Sequence, residues 1–96
     1  MYGSIARYQL KPGMEEQLNV FQRKIREANL PGLVGGFTYR MDDDPGVYLQ
    51  AVVFESEGAY RALAASPEQD ARYRELLAIL TGPPEWHDGA VVSALP

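Results

Sequence analysis

The chain has 96 residues, 46% of them hydrophobic and 23% charged, which is enough for one hydrophobic core and too little for two. Its 13 acidic and 9 basic residues give a net charge of -4, which disfavours nucleic acid and anionic lipid as partners, and without cysteine it can form neither a disulfide nor a thiolate metal site. The N-terminus lacks a signal-peptide pattern, and no apolar run reaches the about 20 residues of a membrane span. We therefore expect a single cytoplasmic domain, residues 1–96, with no nucleic-acid or membrane partner.

The first part of the chain predicts a strand followed by a helix. Residues Tyr2–Leu10 are mostly compatible with a strand, and Lys11-Pro12-Gly13 interrupts them. From Met14 to Ala28, apolar residues recur at alternating spacings of four and three, which places them along one side of a helix. Pro31-Gly32 is expected to end this helix.

The middle of the chain predicts an antiparallel hairpin. Leu33–Met41 and Val47–Phe54 are rich in β-branched and aromatic residues, and the turn formers Asp42-Asp43-Asp44-Pro45-Gly46 separate them. The three aspartates lack the interleaved ligand spacing and the terminal glutamate of a calcium loop, so we interpret them as a solvated turn. Gly35-Gly36 indicates either a β-bulge or a close approach of another backbone or a ligand.

The last part predicts a broken helical region and a fourth strand. Ser56 is a suitable N-cap for a first helical segment, and Ser66 followed by Pro67 fits the start of a second segment running to Leu80. Gly82-Pro83-Pro84 stops it, and Trp86–Leu95 is predicted to be the fourth strand. The fold class is thus α+β, with β-α-β-β-α-β order and a four-stranded antiparallel sheet.

The pattern of the third strand predicts a homodimer. Two amphipathic helices cover only one face of a four-stranded sheet, so the other face of a monomer should be polar. Side chains alternate between the faces, and both alternate sets within Val47–Phe54 are apolar apart from Gln50. A small exposed apolar patch on a monomer is the alternative.

Four local strings stand at characteristic places in the predicted elements: Arg7-Tyr8 through Lys11-Pro12-Gly13, Pro31-Gly32, Val52-Val53-Phe54-Glu55-Ser56 and Ser66-Pro67. Together with the order of elements, they resemble the antibiotic-biosynthesis-monooxygenase-like branch of the dimeric α+β barrel superfamily. The resemblance covers nearly the whole chain, and it implies a ferredoxin-like domain that forms a dimeric α+β barrel. Proteins of this superfamily include cofactor-independent oxygenases of quinols and polyketide anthrones, haem-degrading oxygenases, isomerases and proteins of no known activity.

Some of these activities depend on particular residues, and this chain has other residues at the matching positions. Haem-degrading members carry an asparagine on strand one and a tryptophan and a histidine on helix two. Here Ser4–Arg7 contains no asparagine, and Leu63 and Tyr73 stand at the other two positions. Many quinol-oxidising members have a histidine just after the helix-two proline, where this chain has Glu68. We therefore expect no haem and no other cofactor.

His87 is the candidate catalytic residue. It is the only histidine and lies between Trp86 and Asp88 at the start of strand four. An imidazole that titrates near neutral pH is able to remove a phenolic proton from a bound quinol, which makes the ring electron-rich enough to react with oxygen. A solvated residue at a strand entrance is the plainer interpretation. One histidine is too few ligands to predict a metal site.

Candidate substrate-binding residues are aromatic or cationic. Aromatic side chains on the helices and strands are expected to enclose an apolar pocket, with hydroxyls or an indole N–H to orient a ligand, although ordinary core packing explains each of them as well. Arg40 lies within a strand, where it binds either an anionic group of a ligand or an acidic residue of the other subunit. The aromatic candidates are Tyr39, Tyr60, Tyr73 and Trp86.

Two functions from different classes follow. The first is a cofactor-independent monooxygenase acting on a quinol-like or polyketide-like aromatic molecule in a helix–sheet pocket. The second is a dimeric module, stress-related or ligand-binding, that holds a small molecule without turning it over. A dimer without any cavity is a third, purely structural possibility. The fold serves several activities, so fold alone does not choose among them.

Overall fold

The computed structural model describes residues 1–96 and has the predicted ferredoxin-like α+β fold. All neighbouring strands are antiparallel, and the sheet order is β2-β3-β1-β4, so β2 and β4 are the edge strands. No helix has both the length and the apolar character needed to cross a membrane. The elements are β1 (Tyr2–Gln9), α1 (Glu15–Glu27), β2 (Leu33–Arg40), β3 (Val47–Phe54), α2 (Glu57–Ala64), α3 (Pro67–Leu77) and β4 (Glu85–Ala90).

The hydrophobic core lies between one face of the sheet and the helices. The predicted stripe of α1 supplies two buried residues, Leu18 and Phe21, with Met14 and Ile25 packed against them. From the sheet, Tyr8 and Tyr48 pair across β1 and β3 with their rings stacked 5.8 Å apart. Leu10, Leu76 and Leu80 complete this cluster. The periodicity of α1 therefore identified the face that the core buries.

The second helical region is divided as predicted, and each part has its own N-cap. Ser56 Oγ accepts a hydrogen bond from the Ala59 N–H at 3.1 Å, and Ser66 Oγ accepts one from the Gln69 N–H at 3.1 Å. Ser66 Oγ also donates to the Leu63 carbonyl at 2.7 Å. Because such caps satisfy N–H groups that lack partners within the helix, α2 and α3 are separate helices that meet at Ser66.

Several element ends differ from the prediction, among them that of α3, which ends at Leu77 and not at Leu80. α1 ends at Glu27, before Pro31-Gly32, because Asn29 adopts a left-handed conformation with φ of 48°. β4 ends at Ala90, whereas the prediction extended it to Leu95. Beyond Ala90 the chain keeps one backbone bond to its neighbour, from the Val91 N–H to the Met1 carbonyl at 3.0 Å, and residues 92–96 form none.

Gly35-Gly36 combines both features that the sequence indicated. The β2–β3 register shifts between Leu33 and Gly35, which places a β-bulge at Val34. A side chain at Gly36 would bring its Cβ within 2.7 Å of the Ala51 carbonyl oxygen, so this position needs glycine. The tight contact holds β2 close to β3.

The two faces of the sheet differ in what covers them. We call the face that carries Tyr8 and Tyr48 the helix side, because these residues pack in the core with α1 and α3. The opposite face is the outer face, and none of the helices packs on it. Cross-strand pairing places on the outer face Ile5, Arg7, Phe37, Tyr39, Leu49, Ala51, Val53 and His87.

Candidate functional site

The structure divides the predicted site residues among three places. Trp86 lies on the helix side of β4, near the helices that carry Tyr60 and Tyr73. Arg40 is also on the helix side, but on β2 at the far edge of the sheet. His87 and Tyr39 lie on the outer face. Neighbouring residues of a strand point to opposite faces, and these two are next to Trp86 and Arg40 on the helix side. A ligand on the helix side therefore contacts neither of them.

Small residues of β1 lie beneath the larger side chains at the β4 edge. Trp86 is paired with Ala6, and Asp88 with Ser4, so these four residues lie on the same side of two adjacent strands. Ser4 and Ala6 are only 3% and 2% exposed, so neighbouring side chains cover them. The surface that a ligand could contact here is therefore that of the larger residues above them.

An aromatic pair forms one side of the site. The Tyr73 and Trp86 rings lie 6.2 Å apart, centroid to centroid, at an interplanar angle of 53°. Tilted pairs of this kind are favourable because the positive edge of one ring meets the negative face of the other. Trp86 remains 45% exposed, so the indole still offers free surface to a flat aromatic ligand.

A hydrogen-bonded polar cluster centred on Asp88 forms the other side. Asp88 Oδ1 accepts hydrogen bonds from Ser4 Oγ at 2.7 Å and from the Tyr60 hydroxyl at 2.9 Å. Its Oδ2 accepts one from Arg61 Nη1 at 3.3 Å. The carboxylate thus links β1, β4 and α2, and it holds Tyr60 in a defined position.

Arg61 joins the aromatic residues to this cluster. Its guanidinium carbon lies 5.4 Å from the centroid of the Tyr2 ring and 5.5 Å from that of the Tyr60 ring, and its Nη2 donates to the Tyr2 hydroxyl at 2.8 Å. Glu57, one turn earlier on α2, lies 3.5 Å from Arg61 Nε. These contacts place a positive charge over two electron-rich rings at the rim of the site.

The cluster perturbs the acidity of its members in opposite directions. The hydrogen bond from Ser4, followed by those from Tyr60 and Arg61 and the charge of Arg61, lowers the pKa of Asp88 despite its partial burial. Burial, reinforced by the Asp88 charge, raises the pKa of Tyr60. At neutral pH, Asp88 is therefore an anion with little tendency to take a proton, and Tyr60 is a neutral hydrogen-bond donor.

Sequence reasoning did not find Ser4, Asp88 or Arg61. Strand alternation does place Asp88 on the same side as Trp86, which was a usable signal. The contact between Ser4 and Asp88 joins residues 84 positions apart, and no local pattern reports it. Arg61 stands at a helix position where a solvated cation is the ordinary expectation.

The other candidate, Arg40, lines a separate surface groove of about 430 Å³ between α1 and the β2–β3 edge. Its neighbours there include Glu15, Gln22, Thr38 and Tyr48. A second groove of about 440 Å³ lies between α1 and α3. No group of three or more histidine or acidic side chains is arranged to hold a metal ion.

Solved structures share this arrangement of strands and helices. A mutant of SnoaB, a cofactor-independent oxygenase from Streptomyces nogalater, superposes with a TM-score of 0.83 at 24% identity, covering 99% of this chain and 96% of that chain. Rv0793 from Mycobacterium tuberculosis gives a TM-score of 0.78 at 18% identity, with 99% and 98% covered. A protein named antibiotic biosynthesis monooxygenase gives 0.77 at 15% identity, with 97% and 100% covered.

The chain has the antibiotic-biosynthesis-monooxygenase-like fold. This confirms the resemblance inferred from the sequence at the level of the fold, and the match extends over essentially the whole chain. No protein-family model matches the sequence, and no curated protein is significantly similar to it. The activity of a protein with this fold has to be argued from its own site residues.

Proposed function

We propose that this protein is a cofactor-independent monooxygenase that acts on a flat, quinol-like or polyketide-like aromatic molecule at the β4 edge of the helix side. The observation that carries this proposal is the arrangement around Trp86. An indole that remains 45% exposed lies beside Tyr73, and the hydrogen-bonded Tyr60–Asp88–Arg61 cluster borders the same strand pair. SnoaB, which has the same fold, is a cofactor-independent oxygenase.

The residues of the site suit the binding of a phenol or its anion. The Trp86 and Tyr73 rings stack on the ring system and exclude water from it. Arg61 lies at the rim, where Glu57 and Asp88 already balance its charge, and its remaining N–H groups are available to donate to the oxygen of a phenol or its anion. Ionisation raises the electron density of the ring, and the resulting anion donates an electron to molecular oxygen. The substrate radical and the superoxide so formed combine to a peroxide, which loses water and leaves one oxygen atom in the product. The protein's role in this chemistry is to bind and orient the substrate, whose phenolic proton passes to solvent because the site holds no free base.

We also propose that the functional form is a homodimer joined through the outer face. Phe37 is 72% exposed, and Tyr39 and Ile5 are exposed beside it. An apolar sheet face of this kind is covered when two copies pack face to face, as in a dimeric α+β barrel. His87 then lies at the edge of the interface, away from the substrate.

Oxygen consumption with a panel of anthrones and quinols tests the catalytic proposal. We expect uptake above the uncatalysed rate with at least one compound, and a loss of at least tenfold in kcat/KM for Trp86→Ala, because the indole would contact the ring directly. His87→Ala is the matched control in the next residue of the same strand and should retain full activity. If uptake stays at background for the whole panel, the protein is not an oxygenase of this class.

A non-catalytic ligand-binding module, stress-related or otherwise, is the second candidate. One observation favours it: the carboxylate of Asp88 already accepts three hydrogen bonds, and its pKa is lowered, so it is a weak base. The site therefore has no free group that readily removes a substrate proton. In this case the same aromatic compounds would raise the melting temperature of the protein, Trp86→Ala would abolish the shift, and no product would form.

A further inference from the structure

The groove beside Arg40 carries three charged side chains that have no partner in the chain. We call this space between α1 and the β2–β3 edge the Arg40 groove. Its volume of about 430 Å³ lies within the range of about 300 to 1,000 Å³ that is usual for small-molecule sites. Arg40 comes from β2, Glu15 from the first turn of α1 and Asp42 from the β2–β3 connection. None of the three forms an ion pair. Opposite charges therefore line one groove without neutralising each other.

The hydroxyl of a buried tyrosine opens into the same groove. Tyr48 is only 8% exposed, and its ring stacks on that of Tyr8 in the core. Its hydroxyl takes part in none of the side-chain hydrogen bonds of the chain. No fully buried side-chain nitrogen or oxygen lacks a partner, so this hydroxyl has to reach the surface of the groove that Tyr48 lines. A donor that the core holds in place is thus free to bind a ligand.

Side-chain hydrogen bonds tie together the helix and the strands that form the groove. Gln22 Nε2, on α1, donates to Thr38 Oγ1 on β2 at 3.4 Å and to Gln50 Oε1 on β3 at 3.3 Å. Thr38 lies two positions before Arg40, so both side chains are on the helix side of β2. The Thr38 hydroxyl only accepts in this bond and still has its own proton to donate. The groove therefore has a second free hydroxyl beside the guanidinium group.

We propose that the Arg40 groove binds a free amino acid, whose carboxylate contacts Arg40 and the Tyr48 hydroxyl. These two residues are cross-strand partners on β2 and β3, so their donors lie at the same end of the groove. The ammonium group of the ligand contacts Glu15 and Asp42. Two carboxylates repel a simple anion and Arg40 repels a simple cation, so a molecule that carries both charges is favoured. The groove lies at the opposite edge of the sheet from Trp86, and the proposed dimer joins outer faces, so the inference depends on neither proposal.

Titration with each of the common amino acids, followed by backbone amide chemical shifts, tests the proposal. We expect at least one of them to bind with a dissociation constant below about 1 mM and to shift the amides of residues 38–42 and of the first turn of α1. Its N-acetyl derivative lacks the positive charge and its amide derivative lacks the negative charge, so each should bind at least tenfold more weakly. The proposal is wrong if no amino acid shifts these amides at about 10 mM, or if both derivatives bind as tightly as the parent compound.

Two variants assign the binding to this groove. We expect Arg40→Gln to raise the dissociation constant of the amino acid at least tenfold. Tyr48→Phe removes only the hydroxyl and keeps the stacked ring, and it should raise the constant at least threefold with an unchanged circular dichroism spectrum. Arg23→Gln is the control, because Arg23 is exposed on α1 but does not line the groove, and it should bind as the wild type does. If Arg40→Gln weakens the dimer and leaves amino-acid binding unchanged, Arg40 pairs with the other subunit and the proposal is overturned.

Discussion

The helix side and the outer face of the sheet are made by the same strands, and both carry apolar side chains, but only one of them is covered. Tyr8 and Tyr48 are buried beneath α1 and α3, whereas Phe37 and Tyr39 face outward without a covering element. The apolar pattern of a strand shows which faces of the sheet have to be shielded from water. The topology of the chain decides which of these faces its own helices pack on.

Matched truncations on the two faces should produce the largest contrast. Tyr8→Ala removes a buried, stacked ring, and we expect it to lower the free energy of unfolding by about 3 to 5 kcal/mol. Tyr39→Ala makes the same chemical change on the exposed face and should cost the monomer less than about 1 kcal/mol. Urea denaturation measured at protein concentrations below the dimer dissociation constant compares them. If both variants lost the same free energy of unfolding, the two rings would be equally buried in the monomer, contrary to the structure.

A charge on the outer face should weaken the association of two copies. We expect Phe37→Asp to raise the dimer dissociation constant at least tenfold, which corresponds to about 1.4 kcal/mol, because an aspartate would be desolvated at the interface. Val20→Asp is the control. It introduces the same charge on α1, away from the outer face, and should leave the dimer dissociation constant unchanged. Sedimentation velocity measures both. A dimer that tolerates Phe37→Asp does not use the outer face.

Ionisation of Tyr8, on the helix side, should lower the stability of the folded protein at alkaline pH. Burial raises the pKa of Tyr8 from 10.0 to about 12, so the folded state holds this proton more tightly than the unfolded state. The resulting stabilisation is complete below the unfolded pKa and is lost as the pH rises through the folded one. We expect the free energy of unfolding of the wild type to fall above about pH 10, and that of Tyr8→Phe to fall less steeply.

The polar cluster should produce the smallest effect, at acidic pH. Because the pKa of Asp88 is lowered in the folded protein, its contribution to stability is present above the unfolded pKa and is lost as the pH falls through the folded one. The side chain is partly exposed, so we expect less than about 1 kcal/mol. Unfolding curves of Asp88→Asn should change less with pH over this range. An equal pH dependence in both proteins would assign the effect to other carboxylates.

The element order was predictable because each boundary is marked locally. Ser66 before Pro67 encodes a cap, and the spacing of Leu18 and Phe21 encodes a buried helical stripe. β4 was predicted too long because Val91 and Val92 have strand-forming side chains, and propensity does not reveal whether a partner strand is available. The prediction therefore succeeded where the information lies within a few residues.

The candidate site was predictable only in part. Tyr60, Tyr73 and Trp86 lie on the helix side near the β4 edge, and their binding of a substrate stays a prediction. The faces of Tyr39 and His87 depend on the strand register, and a slip of one residue exchanges the two faces of a strand. A single sequence does not fix that register. The contacts of Asp88 join three elements, which only the folded chain brings together.

The separate caps of α2 and α3 have a consequence for the attachment of α2. α2 contains no buried residue, whereas α3 is anchored in the core by Leu76, and the break at Ser66 means that fraying of one helix does not propagate into the other. α2 is attached to the sheet by the bonds of Tyr60 and Arg61 to Asp88 and by the packing of the Tyr60 ring on Tyr2 and Phe54. Any movement of α2 away from the sheet would break its bonds to Asp88, so this one carboxylate couples the position of the helix to that of β4.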